Sequence, residues 1–519
     1  MTAVAMKRSP TTDSADRAVL IPRRLHPFAP DAAFAVVVVS AVAWRLHALE
    51  ATGGVSGMDW ADMLWMGHAY LGHRVGSASI TYPPLVPLLS TAAAAIFGVV
   101  RGFALLGAIG SVLPALGVYT ALRTLKAPWR VGLVCVLLVI ASSSSEQAAW
   151  GGLPELLGFG LLPGLLVALA RAAERPSRGR LITFASCLFL LAATSHLVLA
   201  EAAEAVVALA VLTVIAGDAT VRRAAVRSSG PIILSALPTL VFVPLYLHLA
   251  STLTLGAAIQ RSGAMPLFAK FDYVFREDRA FWMVVLVAAL VALVLAFSGR
   301  SPGAVFRASA ALTVSTAAAA LGLADVRFFY LVPLAATMGA AASFSALPAR
   351  RGSGGFIAAA CVLSLLVVAN LSIATRNAAD LLPRQVAFYT ALSAPRPVIA
   401  AAKWIKTHLS PSATVAASSF SGSPVGWWVD GLAERTTLTE ANAQFLYFPA
   451  QRRQSVEAAA IFAQPFPNLT SFARARRDHV AYLIVLRPSA AVRAFARSHP
   501  ALSVFSDADA VILATGLAP

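Results

Sequence analysis

The segment GFALLGAIGSVLPALGVYTAL, residues 102–122, contains no charged side chain. It is long enough to cross the hydrocarbon core of a bilayer, which takes about 20 residues in a helix. Similar apolar runs recur along most of the chain before residue 376. Of the 519 residues, 58% are hydrophobic and 13% are charged, and the mean hydropathy is +0.74. Soluble chains carry about 25% charged residues, so the sequence predicts an α-helical polytopic membrane protein.

The apolar runs and the basic residues between them predict the topology. We predict about eleven spans, at 32–49, 102–122, 131–145, 152–170, 181–196, 197–216, 231–250, 281–298, 305–323, 326–346 and 356–375. Between them lie loops rich in arginine and lysine, as the positive-inside rule requires of cytoplasmic loops: Arg123/Lys126/Arg130, Arg171/Arg175/Arg178/Arg180, Arg222/Arg223/Arg227, Arg300/Arg307 and Arg350/Arg351. The net charge of +17 is thereby explained without a nucleic-acid partner. The N-terminal tail 1–31 is predicted to be cytoplasmic. The first apolar run ends without a small-residue cleavage site, so we expect it to be retained.

Two loops and one domain are predicted on the opposite, external side. The first external loop covers 50–101, and a second covers 251–280. Within the first, segment 85–100 is only about 15 residues long and starts with prolines, which predicts an interfacial or re-entrant helix. A twelfth, short span is the alternative. Residues 376–519 are predicted to form a small extracytoplasmic α/β domain, because strand-like pieces at 414–417 and 480–486 alternate with helical pieces at 397–408 and 453–462.

Ionisable side chains beside apolar spans are the candidate functional residues, because burying them is costly unless they pair or act. Asp59 and Asp62 stand three residues apart, so they share a face of a short helix. A carboxylate there could take a proton from a hydroxyl or hold a cation; the alternative is a pair of solvated loop acids. Glu146 and Glu155 flank a glycine-containing connection, and Glu146 could join Asp59 around one cation or substrate. A helix-capping loop is the alternative there.

Three further positions complete this set on the predicted external side. Tyr82 precedes Pro83 and Pro84, which fix an extended turn before an apolar helix. His196 stands at the break between two apolar runs, where a histidine can also serve as an interhelical hydrogen-bonding group. Arg327 lies at the edge of a late span and suits a phosphate group. An ion pair with Asp325, or snorkelling, is the alternative for Arg327.

These motifs resemble those of the GT-C class of membrane glycosyltransferases. The matching features are an acid in the first external loop, an early Tyr82-Pro83-Pro84-Leu85 and a C-terminal external domain. The motifs Trp150-Gly151-Gly152-Leu153-Pro154-Glu155, Ser195-His196-Leu197 and Arg327-Phe328 also resemble a bacterial and archaeal membrane protein family labelled 6-pyruvoyl-tetrahydropterin synthase-related. The block Gly426-Trp427-Trp428-Val429-Asp430-Gly431 resembles the Trp-Trp-Asp block of oligosaccharyltransferase catalytic subunits, but Val429 interrupts it, so no acceptor-binding role is carried over.

The resemblance implies transfer of a sugar from a polyprenyl-phosphate donor to an extracytoplasmic acceptor, which could be a cell-envelope glycan, a glycolipid or a protein. It makes Asp59 the catalytic base and Arg327 a contact of the donor phosphate. It makes Glu146 the second-loop acid, which with Asp59 would hold a divalent metal, Mg²⁺ or Mn²⁺. Asp62, Tyr82, Glu155 and His196 are expected to bind donor or acceptor.

Two other classes of function stay open at this point. A lipid or solute transporter is one, although such proteins tend to show paired halves and broken helices. A non-catalytic envelope scaffold on a transferase-like fold is the other. The expected location is the bacterial inner membrane, where membrane lipids and the lipid-linked donor are the expected partners.

Overall fold

The computed structural model describes residues 29–73, 80, 82–124, 126, 129–141, 144–252, 286–287, 289–290, 293, 303–322, 326–346, 382–393, 396–420, 422–442, 446 and 448–517. For Glu146 and Arg327 the structure describes the backbone, which is helical at both residues, but not the side chain. Most of the predicted loop 251–280 and of the predicted spans 281–298 and 356–375 also lies outside the described residues.

The first part of the chain is helical. Its α-helices are α1 (Ala29–Glu50), α2 (Asp59–Tyr70), α3 (Leu85–Phe97), α4 (Val99–Thr124), α5 (Trp129–Ile140), α6 (Ser144–Trp150), α7 (Leu153–Glu174), α8 (Arg178–Thr194), α9 (His196–Ala216), α10 (Ala219–Ala236), α11 (Val243–Thr252), α12 (Ala304–Gly322) and α13 (Val332–Ala346). Short 3-10 helices, Leu237–Phe242 and Val326–Leu331, precede α11 and α13. Within the described ranges, five helical stretches are long and apolar enough to cross a membrane: Pro30–Glu50, Val99–Thr124, Leu153–Glu174, His196–Ala216 and Ala219–Ala250.

The observed helices agree with most predicted spans that fall on described residues, with three corrections. Helix α5 ends at Ile140, so the predicted span 131–145 is shorter than expected. Arg222, Arg223 and Arg227 lie within α10 and not in a loop, because the Asp218 carboxylate caps this helix by accepting the N–H groups of its first residues. Arg307 lies in α12, buried, with its guanidinium 2.7 Å from the Glu174 carboxylate of α7.

Helix α3 has 13 residues, which is shorter than the roughly 20 residues of a span. It packs between α2, α4 and α8. Its outward face exposes Leu89, Ile96 and Phe97, while Val86 and Ser90 are buried. The helix therefore has the length and the apolar outward face that an interfacial position requires.

Arg45 joins three helices of the membrane part. This buried side chain near the end of α1 donates hydrogen bonds to the Ser111 carbonyl oxygen at 2.9 Å and to the Ser111 hydroxyl at 2.8 Å. It also donates to the carbonyl of Ile140, the last residue of α5. A guanidinium can satisfy several acceptors at once, so one side chain connects α1, α4 and α5.

The C-terminal part is a small α/β domain, and the predicted fold class is confirmed. Its strands are β1 (Thr414–Ala417), β2 (Thr436–Thr439), β3 (Tyr482–Leu486), β4 (Ser503–Ser506) and β5 (Ala510–Ala514), in the sheet order β2-β1-β3-β5-β4. Strand β1 pairs in parallel with β2 and β3, whereas β5 is antiparallel to β3 and β4. Its helices are α14 (Arg396–His408), α15 (Pro449–Ile461), α16 (Leu469–Arg477) and α17 (Ala490–Ser498). A π-helix, Val429–Ala433, precedes β2.

The two faces of this sheet belong to different cores, because successive strand residues point to opposite faces. Leu483 and Val485 of β3 contribute to a core that also contains residues of α15, α16 and α17. Ile484 and Leu486, on the other face, contribute to a core shared with α1, α2, α3 and α4. The C-terminal domain is thus packed directly onto the helix α2 that follows the first span.

Candidate functional site

The site is built around the start of α2. Helix α2 begins at Asp59, and the N–H of Met58 donates to the carbonyl of Trp150 at 3.1 Å. A Cβ atom added at Gly151 would lie 3.0 Å from the Cα of Gly57, and Gly151 has a φ of +98°. The backbone turn at Trp150–Gly151 therefore needs a glycine to approach Gly57. Two motifs that are distant in sequence meet here, as expected, and Asp59 is half-buried beside them.

Asp62 lies one turn further along α2 and is 7% exposed. Burial, and to a smaller extent the nearby charge of Asp59, raise the pKa of Asp62 to about 8. A carboxyl group with this pKa is mostly protonated at neutral pH, so it can donate a hydrogen bond. The two acids of α2 therefore differ in environment, since Asp59 is the more exposed one.

Asp430 of the C-terminal domain joins this group. It belongs to the π-helix, is 4% exposed, and accepts the backbone N–H of Thr437 at 3.1 Å. Burial raises its pKa well above the ordinary value, the Thr437 N–H acts in the opposite direction, and the charge of Asp62 raises it again. Asp430 was not among the predicted site residues. The apolar block around Asp430 indicates a buried acid. Nothing in that block predicts a contact with α2, which is distant in the sequence.

The tryptophans of the same block are buried. Trp427 is 8% exposed and Trp428 is 1% exposed, and both belong to the core shared with Trp60 and Trp65. Large buried aromatic side chains of this kind supply packing area. The block therefore anchors the C-terminal domain on α2.

A mixed-charge cluster lies at the other end of α2. The Lys406 ammonium is 2.5 Å from a Glu434 carboxylate oxygen. Ring nitrogens of His68 and His73 lie 4.0 and 3.8 Å from the same carboxylate. Burial opposes ionisation of Glu434, but Lys406 and the two histidines lower its pKa overall. Burial lowers the pKa of His68. This cluster is a second electrostatic contact between α2 and the C-terminal domain.

Tyr82 and His196 lie together. Their ring centroids are 5.7 Å apart, and the Tyr82 carbonyl accepts the hydroxyl of Tyr70 at 2.9 Å. His196 begins α9, directly after Ser195, whose extended backbone and hydroxyl cap that helix. The break at the Thr194-Ser195-His196 sequence is therefore present, and it brings His196 to the turn before α3.

Two acids of the long apolar helices, Glu155 of α7 and Glu201 of α9, lie in different surroundings. Glu155 is 1% exposed in the first turn of α7. Glu201 in α9 is fully buried and accepts hydrogen bonds from the hydroxyls of Ser315 at 2.9 Å and Thr316 at 3.2 Å. These bonds join α9 to α12.

The predicted metal position is only partly described. Among the residues that the structure covers, no three His, Cys, Asp or Glu side chains are grouped so that they could hold a metal ion. Helix α6, which carries Glu146, ends at Trp150 beside Met58. The backbone therefore brings the two predicted ligand positions, Asp59 and Glu146, to neighbouring elements.

Comparison with known proteins identifies the fold. The chain is similar to the crystal structure of ArnT from Cupriavidus metallidurans in the apo state, with a TM-score of 0.55 and 13% sequence identity, over 93% of this chain and 98% of that chain. The ArnT structure bound to undecaprenyl phosphate gives a TM-score of 0.57 at the same identity and coverage. No family model and no curated protein sequence matches the chain. The architecture is that of the GT-C class, and this confirms the resemblance drawn from the motifs.

Proposed function

We propose that this protein is a glycosyltransferase that moves a sugar from a polyprenyl-phosphate donor to an acceptor hydroxyl, with Asp59 as general base. The GT-C fold and the structural neighbour that binds undecaprenyl phosphate support the donor class. The acceptor would be a cell-envelope glycan, a glycolipid or a protein. The enzyme would lie in the bacterial inner membrane, with a cytoplasmic N-terminus and an extracytoplasmic C-terminal domain.

The observation that carries this proposal is the position of Asp59. Its carboxylate is half-buried at the start of α2, beside the Trp150–Gly151 turn. Negative charge is favoured at a helix N-terminus, which suits an ionised base. The more buried Asp62 has a pKa of about 8. A carboxyl group whose pKa is raised in this way can act as a hydrogen-bond donor at neutral pH.

The reaction is an inverting displacement at the anomeric carbon of the sugar. Asp59 takes the proton of the acceptor hydroxyl while the oxygen of that hydroxyl forms the new bond to the anomeric carbon. The bond from the carbon to the phosphate oxygen breaks, and polyprenyl phosphate leaves as an anion. In this proposal Arg327 holds the phosphate, and Asp62, Tyr82, Glu146, Glu155 and His196 bind donor or acceptor.

A divalent metal at Asp59 and Glu146 stays a prediction. Such an ion would neutralise phosphate charge. The test is chelation with EDTA, followed by readdition of Mg²⁺ or Mn²⁺, with sugar transfer as the measurement. Recovery only with the cation supports the metal, and full activity in EDTA contradicts it.

The test of the function uses membranes that contain wild-type protein or the Asp59→Asn variant, with radiolabelled polyprenyl-phosphate sugars as donors. We expect transfer by wild type and a loss of about 10²- to 10⁴-fold in the variant, the usual contribution of a general base. Asp218→Asn is the matched control, because Asp218 is an exposed helix cap in the loop before α10. Wild-type protein without transfer from any donor would favour the scaffold or transporter alternative.

A further inference from the structure

The contact between α2 and the π-helix Val429–Ala433 contains two buried acids, and the proposed reaction gives no role to the second of them, Asp430. Asp62 and Asp430 are both more than nine-tenths buried. Burying a carboxylate is costly unless it is paired, yet neither acid has an ion pair with an arginine or lysine of the described residues. Asp430 instead accepts a backbone N–H from Thr437, at 3.1 Å.

The two chain segments fit closely at this point. A Cβ atom added at Gly431 would overlap the carbonyl oxygen of Ala61, so the backbones of the π-helix and α2 are in direct contact. Asp430 and Asp62 are the residues next to this contact on either side. Two basic groups nearby are engaged with other partners. Lys406 pairs with Glu434, and the guanidinium of Arg435 donates to the carbonyls of Ala433 and Leu409.

We propose that Asp430 is a positioning residue, which with Asp62 forms an uncharged carboxyl pair that holds the C-terminal domain on α2. The domain then fixes the start of α2, and Asp59 is left as the anionic carboxylate of that helix. This inference rests on the proposed function in one respect only, which is the role of Asp59 as base.

The direction of the pKa shifts agrees with this geometry. Burial is the largest cause for both acids. The charge of Asp59 adds to it for Asp62, and the charge of Asp62 adds to it for Asp430. A proton on each carboxyl group removes the repulsion between them. When both protons leave, two like charges are buried at one contact, which weakens the docking. The other titratable and charged groups on or directly after the elements that meet there are Asp59, His68, Tyr70, His73, Arg396, Lys403, Lys406, His408, Glu434 and Arg435.

The first measurement is independent of enzyme activity. Protonated carboxyl groups give a C=O stretching band in infrared spectra, which shifts in D₂O. We expect this band at pH 7 in wild-type protein, and a smaller band in each of the variants Asp62→Asn and Asp430→Asn. The exposed control Asp218→Asn should leave the band unchanged. An equal band in all four proteins overturns the proposal, even if Asp59 proves to be the base.

The second measurement is the pH profile of sugar transfer. In wild type we expect activity to fall above about pH 8, where Asp62 ionises. Asp62→Asn cannot ionise, so its alkaline limb should move to higher pH by roughly half a unit or more. A purely structural role would lower activity at every pH and leave the limb in place, and that result contradicts the proposal. If transfer is absent in wild type, the proposed function fails while the infrared result still decides the carboxyl pair.

Discussion

Gly431 lies so close to Ala61 that a Cβ atom at Gly431 would overlap the Ala61 carbonyl oxygen. This backbone contact joins the C-terminal domain to α2, the helix that begins with Asp59. Few other residue types fit at such a contact, because a side chain would have to displace a helical carbonyl group. The docking of the domain and the position of the proposed base therefore depend on the same short stretch of backbone.

The first prediction concerns this glycine. Gly431→Ala should destabilise the protein by about 1–3 kcal/mol, the usual cost of forcing extra atoms into a packed contact. The measurement is thermal unfolding in detergent together with limited proteolysis, which should release the C-terminal domain more readily. Gly179→Ala is the control, because a Cβ atom at Gly179 meets nothing within 4 Å. Equal stability of the two variants would show that the contact relaxes without cost.

The second prediction is the pH dependence of stability from Asp62. Its pKa rises from 3.8 in the unfolded chain to about 8 in the folded protein. The stability that the protonated group contributes is fully present below about pH 4 and is lost as the pH rises to about 8, by up to about 1.4 kcal/mol per pH unit.

The melting temperature of wild-type protein should therefore fall across this window, and that of Asp62→Asn should fall less. Scanning fluorimetry between pH 4 and pH 9 measures both, and Asp218→Asn serves as the comparison because its side chain is exposed. Parallel curves for wild type and Asp62→Asn would mean that Asp62 is ionised throughout.

The third prediction concerns Arg45. Arg45→Leu removes the hydrogen bonds that join α1 to α4 and α5 and leaves their buried acceptors without this donor. We expect a loss of about 3 kcal/mol, measured by thermal unfolding in detergent. Arg101→Leu is the control, since Arg101 is 68% exposed and its contact with Glu50 is 3.6 Å long. Surface pairs of this kind contribute at most about 1 kcal/mol.

The fourth prediction concerns the ion pair of Lys406 and Glu434. Because the Lys406 side chain is half exposed, a double-mutant cycle with Lys406→Met and Glu434→Gln should give a coupling energy below about 1 kcal/mol. The coupling should decrease further in 1 M salt, where charges are screened over about 3 Å. A coupling of several kcal/mol that is insensitive to salt would mean that this cluster, and not Gly431, dominates the docking.

Local features of the structure could be predicted from the sequence. The predicted strand 414–417 coincides with β1. The predicted helix 397–408 matches α14 except that α14 begins one residue earlier, at Arg396. The break between α8 and α9 falls at Ser195, as expected from the polar residues between two apolar runs. The bounds of α10 were wrong, because a helix cap at Asp218 outweighs the pattern of arginines that indicated a loop.

The site could be predicted only in part. The meeting of the Gly57 loop with the Trp150–Gly151 turn was expected, because both were placed on the same side of the membrane. Asp430 was not expected at Asp62, since nothing local in either segment specifies its partner. The buried role of Arg45 was likewise not visible, because a single arginine near the end of a span is also compatible with an exposed, snorkelling side chain.

The sequence by itself determined which segments are apolar enough to enter a membrane and which alternate as strands and helices, because transfer of apolar residues from water and the periodicity of side chains are local properties. Only the tertiary structure decided which acids share one environment. The pKa of Asp62 depends on its burial and on the charge of Asp59, and the pKa of Asp430 depends on its burial and on the charge of Asp62. Both burials depend on the packing of the C-terminal domain onto α2. Burial and electrostatic coupling are properties of the packed chain, and that is why the sequence could indicate the acids without assigning their states.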